Sequence, residues 1–156
     1  MRLYLFRHAP AIDRDDWTGD DAERPLTADG ERIANKMLKN LRTLLKADEI
    51  LTSPWRRARQ TAEIAAERLS LPLREADWLA GGTADVEDIC EHLTDSADVL
   101  LVGHEPDFGQ LIGYLTGGTA VEMKKAAVAI LVGEPVAGGM SLRALLDPKT
   151  VNRLRD

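Results

Sequence analysis

The chain has 156 residues, a length suited to one domain with room for a real hydrophobic core. A hydrophobic share of 44% beside a charged share of 29% excludes a disordered chain, and no apolar run approaches the roughly 20 residues of a membrane-spanning helix. A net charge of -6 excludes a general basic surface for nucleic acid, so any positive site has to be local.

The opening run Leu3-Tyr4-Leu5-Phe6 predicts a buried strand that must end by Pro10, which cannot donate to a ladder. It therefore delivers Arg7 and His8 to a strand end, and in open α/β sheets ligands collect beyond the carboxyl ends of strands. The same run is too short for a secretory signal, so a cytoplasmic protein is expected. Residues 11 to 26 are rich in Asp and Gly and lack periodicity, which predicts a solvated polar loop over the site with Trp17 as its anchor. Thr27 can cap a helix with Asp29 in its first turn and Ile33, Met37, Leu41, Leu44 and Leu45 on its apolar face. Arg24, just before it, is placed to reach the site.

A second strand, Ile50 to Thr52, runs into Ser53-Pro54, read as a helix opening in which Ser caps and Pro takes the first helical position. The helix continues to Leu69. Its first turn carries Arg56, Arg57 and Arg59 beside free backbone N–H groups, a combination that suits phosphate oxygens. These arginines cannot all share one face, so at least one points to solvent, and whether Arg56 or Arg59 assists the site stays open. Leu71-Pro72-Leu73-Arg74 predicts a short edge strand, Gly81-Gly82-Thr83 a turn, and Asp85 to Leu93 an amphipathic helix. His92 lies on that helix with nothing to mark it for chemistry, and Cys90 lies on its apolar face as plain core. Val99 to Val102 is the most apolar strand and is expected to be central; it ends in Gly103-His104, and Pro106 opens a helix with Phe108, Leu111, Ile112 and Leu115 on one face. Ala126 to Val132 and Ser141 to Leu146 read as a closing antiparallel hairpin, and the last ten residues have turn and charged character. No repeat or linker divides the chain, so a single domain over residues 1 to 156 is expected.

Three strand ends thus present His8, His104 and a cluster of arginines. With one cysteine and no Cys/His cluster at ligand spacing, no metal or cofactor is expected. Two histidines among arginines suit phosphoryl transfer: a neutral imidazole can attack phosphorus in line and carry the group covalently, while guanidinium groups hold the oxygens. A second imidazole, if protonated, adds a donor.

Arg7-His8-Ala9, Arg24-Pro25-Leu26-Thr27, Ser53-Pro54-Trp55-Arg56-Arg57-Ala58 and Val102-Gly103-His104-Glu105-Pro106 resemble the histidine phosphatase superfamily, and within it the SixA-type phosphohistidine phosphatases. The resemblance implies an α/β fold: a three-layer sandwich with a mostly parallel central sheet flanked by helices, phosphoglycerate mutase-like, in a minimal version without a helical lid. It implies that His8 is the nucleophile and becomes phosphorylated, with Arg7, Arg57 and His104 as the catalytic pocket around the phosphoryl group. Its Ser-Pro-x-x-Arg-Ala pattern picks out Arg57, and its Arg-Pro-Leu-Thr segment adds Arg24 as a further phosphate contact. Ala9 stands where many members have Gly, as it does in SixA-like proteins.

Larger members carry an acidic proton donor after the second arginine. Here Asp77-Trp78-Leu79-Ala80-Gly81-Gly82-Thr83 has no clear match, which leaves the general acid unassigned. An alkoxide leaving group needs a proton, whereas phosphohistidine can leave as a neutral imidazole, so a missing acid favours P–N substrates. The short interval from Arg57 to His104 leaves no room for a lid, which fits a phosphohistidine presented on a protein. The expected activity is therefore metal-independent hydrolysis of protein phosphohistidine by a monomer. The alternative is a phosphomonoesterase for a small metabolite, with Asp13, Asp20, Asp21 or Glu105 as acid. A mutase would want an enclosed site, and a phosphate-binding module would not need the nucleophile.

Overall fold

The computed structural model describes residues 1–95 and 97–155. The strands are β1 (Arg2–Arg7), β2 (Glu49–Thr52), β3 (Leu73–Glu75), β4 (Val99–Gly103), β5 (Val128–Gly133) and β6 (Met140–Leu146). The helices are α1 (Ala28–Leu41), α2 (Arg56–Leu69), α3 (Val86–Leu93), α4 (Asp107–Thr116) and α5 (Pro148–Arg155). One sheet runs in the order β3-β2-β4-β1-β5-β6. The pairs β2–β3, β2–β4 and β1–β4 are parallel, while β5 pairs antiparallel with both β1 and β6. As expected, β4 is interior and buried at every position, flanked by β2 and β1.

Alternate strand residues point to opposite faces, and each face is covered. Tyr4, Phe6, Ile50, Leu100, Val102 and Val128 pack with the apolar sides of α1, α2 and α5. Leu3, Leu5, Leu51, Val99, Leu101, Ala129 and Leu131 pack with α3 and α4. This is the expected three-layer arrangement, and the parallel strands read as unbroken apolar runs because both their faces are buried. No helix among the described residues is long and apolar enough to cross a membrane.

Local chemistry sets most of the boundaries. The Thr27 side chain accepts from the Gly30 amide at 2.9 Å and starts α1. Asp85 accepts from Glu87 and Asp88 and starts α3. Gly117, at φ 70°, ends α4 with its amide turned back to the carbonyls of Gly113 and Tyr114.

Four local expectations are corrected. The second helix opens at Arg56 with Trp55 as N-cap, because the Ser53 hydroxyl accepts from the Trp55 amide before the helix begins. Leu44 lies beyond the end of α1 and is half exposed, so it does not extend the apolar face. Ala126 has φ 60° and belongs to the turn before β5, not to the strand. The tail forms α5, since the Asp147 carboxylate accepts from the Thr150 amide and Val151 anchors the turn in the core. Asp156, the last of the ten tail residues read as turn and charged, lies outside the described residues.

Candidate active site

The ladder brings three strand ends together. The His8 amide donates to the Gly103 carbonyl at 3.0 Å, and the Ser53 amide donates to the Val102 carbonyl at 2.9 Å. Residues immediately past β1, β2 and β4 are therefore neighbours by hydrogen-bond register, although they lie far apart in sequence. Around them is a cavity of about 250 Å³ lined by Arg7, His8, Asp13, Arg14, Arg24, Arg57, His104, Glu105 and Lys125.

His8 is buried, and its two ring nitrogens do different things. Nδ1 lies 2.8 Å from the Ala9 carbonyl oxygen, which can only accept, so Nδ1 carries the proton. Nε2 is left with its lone pair and accepts from Arg57 Nε at 3.3 Å. Burial, partly offset by the Ala9 bond, pushes the imidazole down to about 2, with His104 and Arg57 adding to the fall. Burial thus favours the neutral ring, and its ring lone pair is on one defined atom, Nε2. Thr61 supports the position from α2, accepting from the Ala9 amide at 3.1 Å while donating to the Arg57 carbonyl at 2.8 Å.

Arg57 is held by Asp21. Its Nη1 donates to the Asp21 backbone oxygen at 2.8 Å and its Nη2 to the Asp21 carboxylate at 3.3 Å. Arg24 Nε donates to the same carboxylate at 2.9 Å, and Arg24 Nη1 donates to the Ile12 carbonyl. Desolvation alone would raise the Asp21 carboxyl, but the Arg24 hydrogen bond and the charge of Arg57 hold it below the usual range. The loop expected to be solvated thus supplies the anion that ties two pocket arginines together. Arg14, also cationic, lies 3.7 Å from the same carboxylate. From sequence Asp21 is a candidate acid; its role as the counter-ion of Arg24 and Arg57 is not foreseen, because an acidic run reads as surface, although its spacing of three before Arg24 was an available signal. Trp17 does pin the loop, donating to the Asp20 carbonyl at 2.9 Å.

Arg7 donates to the Met123 carbonyl through Nη1, and its buried Nε has no hydrogen-bond partner among the described residues. His104 packs 5.3 Å from His8, ring centre to ring centre, and meets the edge of Trp55 at 5.0 Å. Its Nε2 lies 2.8 Å from Ser53 Oγ. Burial, with Arg57 next, pushes His104 down to about 3, which favours the neutral ring over the protonated one. Arg57 also stacks over Trp55 at 4.8 Å. Neither Arg56 nor Arg59 lines the cavity; Arg59 pairs with Glu63 and Glu75.

Of the carboxylates weighed as acids, Asp20 accepts from Ala22 as a turn cap, and Asp21 is committed to arginines. Asp13 and Glu105 line the cavity. Burial raises Glu105, against the Gly109 amide that donates to it at 2.7 Å. Among the described residues no three His, Cys, Asp or Glu side chains cluster as metal ligands.

The family model described as the histidine phosphatase superfamily, branch 1, matches residues 3–81. The phosphohistidine phosphatase SixA of Escherichia coli is 31% identical over 134 residues, 79% of each chain. A structure of the protein histidine phosphatase SixA complexed with tungstate has 26% identity and a TM-score of 0.85, covering 96% of this chain and 98% of that one. A phosphoglycerate mutase of Bacillus anthracis shares the fold at 17% identity, with a TM-score of 0.76 over 99% of this chain and 96% of its own.

Proposed function

Because the chain belongs to the histidine phosphatase superfamily, we propose that it is a phosphatase acting on phosphohistidine carried by a protein, with His8 as the nucleophile. The observation that carries this reading is the state of His8: a neutral ring, its Nδ1 proton spent on Ala9, and its Nε2 unprotonated and held by Arg57 in a cationic cavity. In the first step Nε2 attacks phosphorus in line. A P–N bond forms to His8 as the P–N bond to the substrate imidazole breaks, and that ring takes a proton from solvent and departs as neutral imidazole. Water then attacks phosphorylated His8, breaking the new bond and releasing inorganic phosphate. Arg7, Arg57 and His104 hold the phosphoryl oxygens, with Arg24 tied to Arg57 through Asp21.

Three observations support the reading. Tungstate, the ligand of the related SixA structure, is a tetrahedral oxyanion of phosphate-like charge and shape. The segment between β3 and α3 holds a single 3-10 turn, Asp77–Leu79, and a turn at residues 81–83, but no α-helix that would cover the cavity from there. The SixA relationship points to a protein substrate.

The test is phosphate release from a phosphohistidine-bearing protein in excess chelator, by wild type and His8→Ala. Release by the wild type alone is the expected result; release by both, or by neither, sinks the assignment.

A second reading is favoured by Glu105 alone, a cavity carboxylate raised by burial and so easier to protonate. It would serve as acid for an alkoxide leaving group in a small phosphomonoester. Under the first reading Glu105→Gln leaves phosphohistidine turnover within a fewfold of wild type. Loss of ester turnover in that variant, with esters the better substrates, would select the second.

A further inference from the structure

His104 poses a question that its family membership does not answer: which of its nitrogens carries the proton. The residue is 3% exposed and its Nδ1 is buried with no hydrogen-bond partner among the described residues. Its other nitrogen, Nε2, faces Ser53 Oγ at 2.8 Å. A neutral imidazole has one donor and one acceptor, so the direction of that single bond decides the state of both atoms.

Ser53 settles the direction. It is fully buried, and its Oγ already accepts the Trp55 amide at 3.2 Å. Among the described residues the only acceptor recorded within reach of the hydroxyl proton is His104 Nε2. If Nε2 were the protonated atom, Oγ would accept twice, its own proton would have no acceptor, and the Nδ1 lone pair would also be unpaired. If Ser53 donates instead, both Ser53 and Nε2 are satisfied, and one group is left over: an N–H at Nδ1. Buried polar groups without partners are rare and mark places where a ligand completes the set. The ring lines the cationic cavity, where an unprotonated phosphoryl oxygen accepts and cannot donate.

We propose that Ser53 is a positioning residue that fixes His104 as the Nδ1–H tautomer, making it a neutral hydrogen-bond donor to a phosphoryl oxygen. This deepens the phosphatase reading and rests on it only for the nature of the ligand. The depressed basicity of His104 agrees, since a ring that resists protonation can donate from Nδ1 only if the tautomer is set for it. Trp55 edge-on and His8 beside it hold the ring plane while the hydroxyl sets the proton.

The test is nitrogen–proton correlation NMR of the histidine side chains near neutral pH, with inorganic phosphate as the probe ligand. The expected wild-type spectrum shows His104 protonated at Nδ1 and bare at Nε2, with the Nδ1 proton moving when phosphate is added. A proton at Nε2, or on both nitrogens, overturns the proposal. In Ser53→Ala the Nε2–H form should appear and phosphate affinity should fall about tenfold or more, a range set by one hydrogen bond to a charged group. Ser53→Thr, which keeps the hydroxyl, should restore the Nδ1–H form. A Ser53→Ala protein that keeps both the tautomer and the affinity also overturns it. Should the alanine variant not fold, the wild-type spectrum decides alone. Failure of the phosphatase reading would show instead as absent turnover, with the spectrum unchanged.

Discussion

At the scale of single residues, His8 and Arg57 act as a unit. The Ala9 carbonyl fixes the His8 proton on Nδ1, and the Arg57 guanidinium meets the lone pair at Nε2 while its other nitrogens hold Asp21. A planar fork does three jobs there that a single ammonium cannot. Arg57→Ala is expected to lower kcat/KM by on the order of a hundredfold or more, the usual cost of one preorganised donor, and Arg57→Lys should recover little of it. Steady-state kinetics on the two variants check this, and near-wild-type activity in Arg57→Lys would show that charge alone suffices. His8, Arg7 and His104 were legible as candidates because strand-end patterns mark them, whereas Arg57 was picked out of its arginine cluster, and Arg24 added as a phosphate contact, by the family resemblance. The pairing of Asp21 with Arg57, the contact of Ser53 with His104 and the place of Lys125 at the cavity were not legible, since each depends on a loop or turn whose path no local pattern encodes.

At the scale of elements, the end of β1 is held against α1 by a contact with no room to spare. The Thr27 amide donates to the Pro10 carbonyl at 3.1 Å, and a Cβ added at Gly30 would overlap that same carbonyl oxygen. Gly to Ala inside an exposed helix would ordinarily stabilise by about 1 kcal/mol. Here the sign reverses: Gly30→Ala is expected to cost roughly 1–3 kcal/mol, as for other overpacked sites, because backbone on both sides has to move. Denaturant midpoints measure it, and phosphatase activity should fall with it, because Pro10 lies two residues beyond His8. A stabilised variant would refute the packing argument. Element existence was readable for the strands and for α1 to α4, whereas α5 was not. Its cue, Asp147 before Pro148, is a short capping signal inside a charged tail, and only the packing of Val151 against the core makes the helix worthwhile.

At the scale of the whole molecule, burying a neutral histidine pair links the fold to pH. His8 is held down to about 2 and His104 to about 3, chiefly by burial, while in the unfolded chain both titrate near about 6.5. Below that pH the unfolded chain binds protons that the folded one refuses. Stability therefore falls with pH, by up to about 1.4 kcal/mol per pH unit for each histidine. Glu105 and Asp107, raised by burial, work in the opposite sense over part of the window. The readout is accordingly a difference: Tm of the wild type should drop more steeply from about pH 6.5 to about pH 4 than Tm of a His8→Gln, His104→Gln double variant. Parallel curves would sink the linkage. By itself the sequence determined the periodicities, most caps and the strand ends, and with them the list of candidate histidines and arginines, since these are encoded within a few residues of each position; the layered architecture was legible through the family resemblance that its motifs carry. Only the tertiary structure decided which groups meet. The parallel register sets His8, Ser53 and His104 side by side, the loop returns Asp21 to two arginines, and burial holds both imidazoles neutral. Protonation state and pairing depend on neighbours brought from elsewhere in the chain, and on the water they exclude.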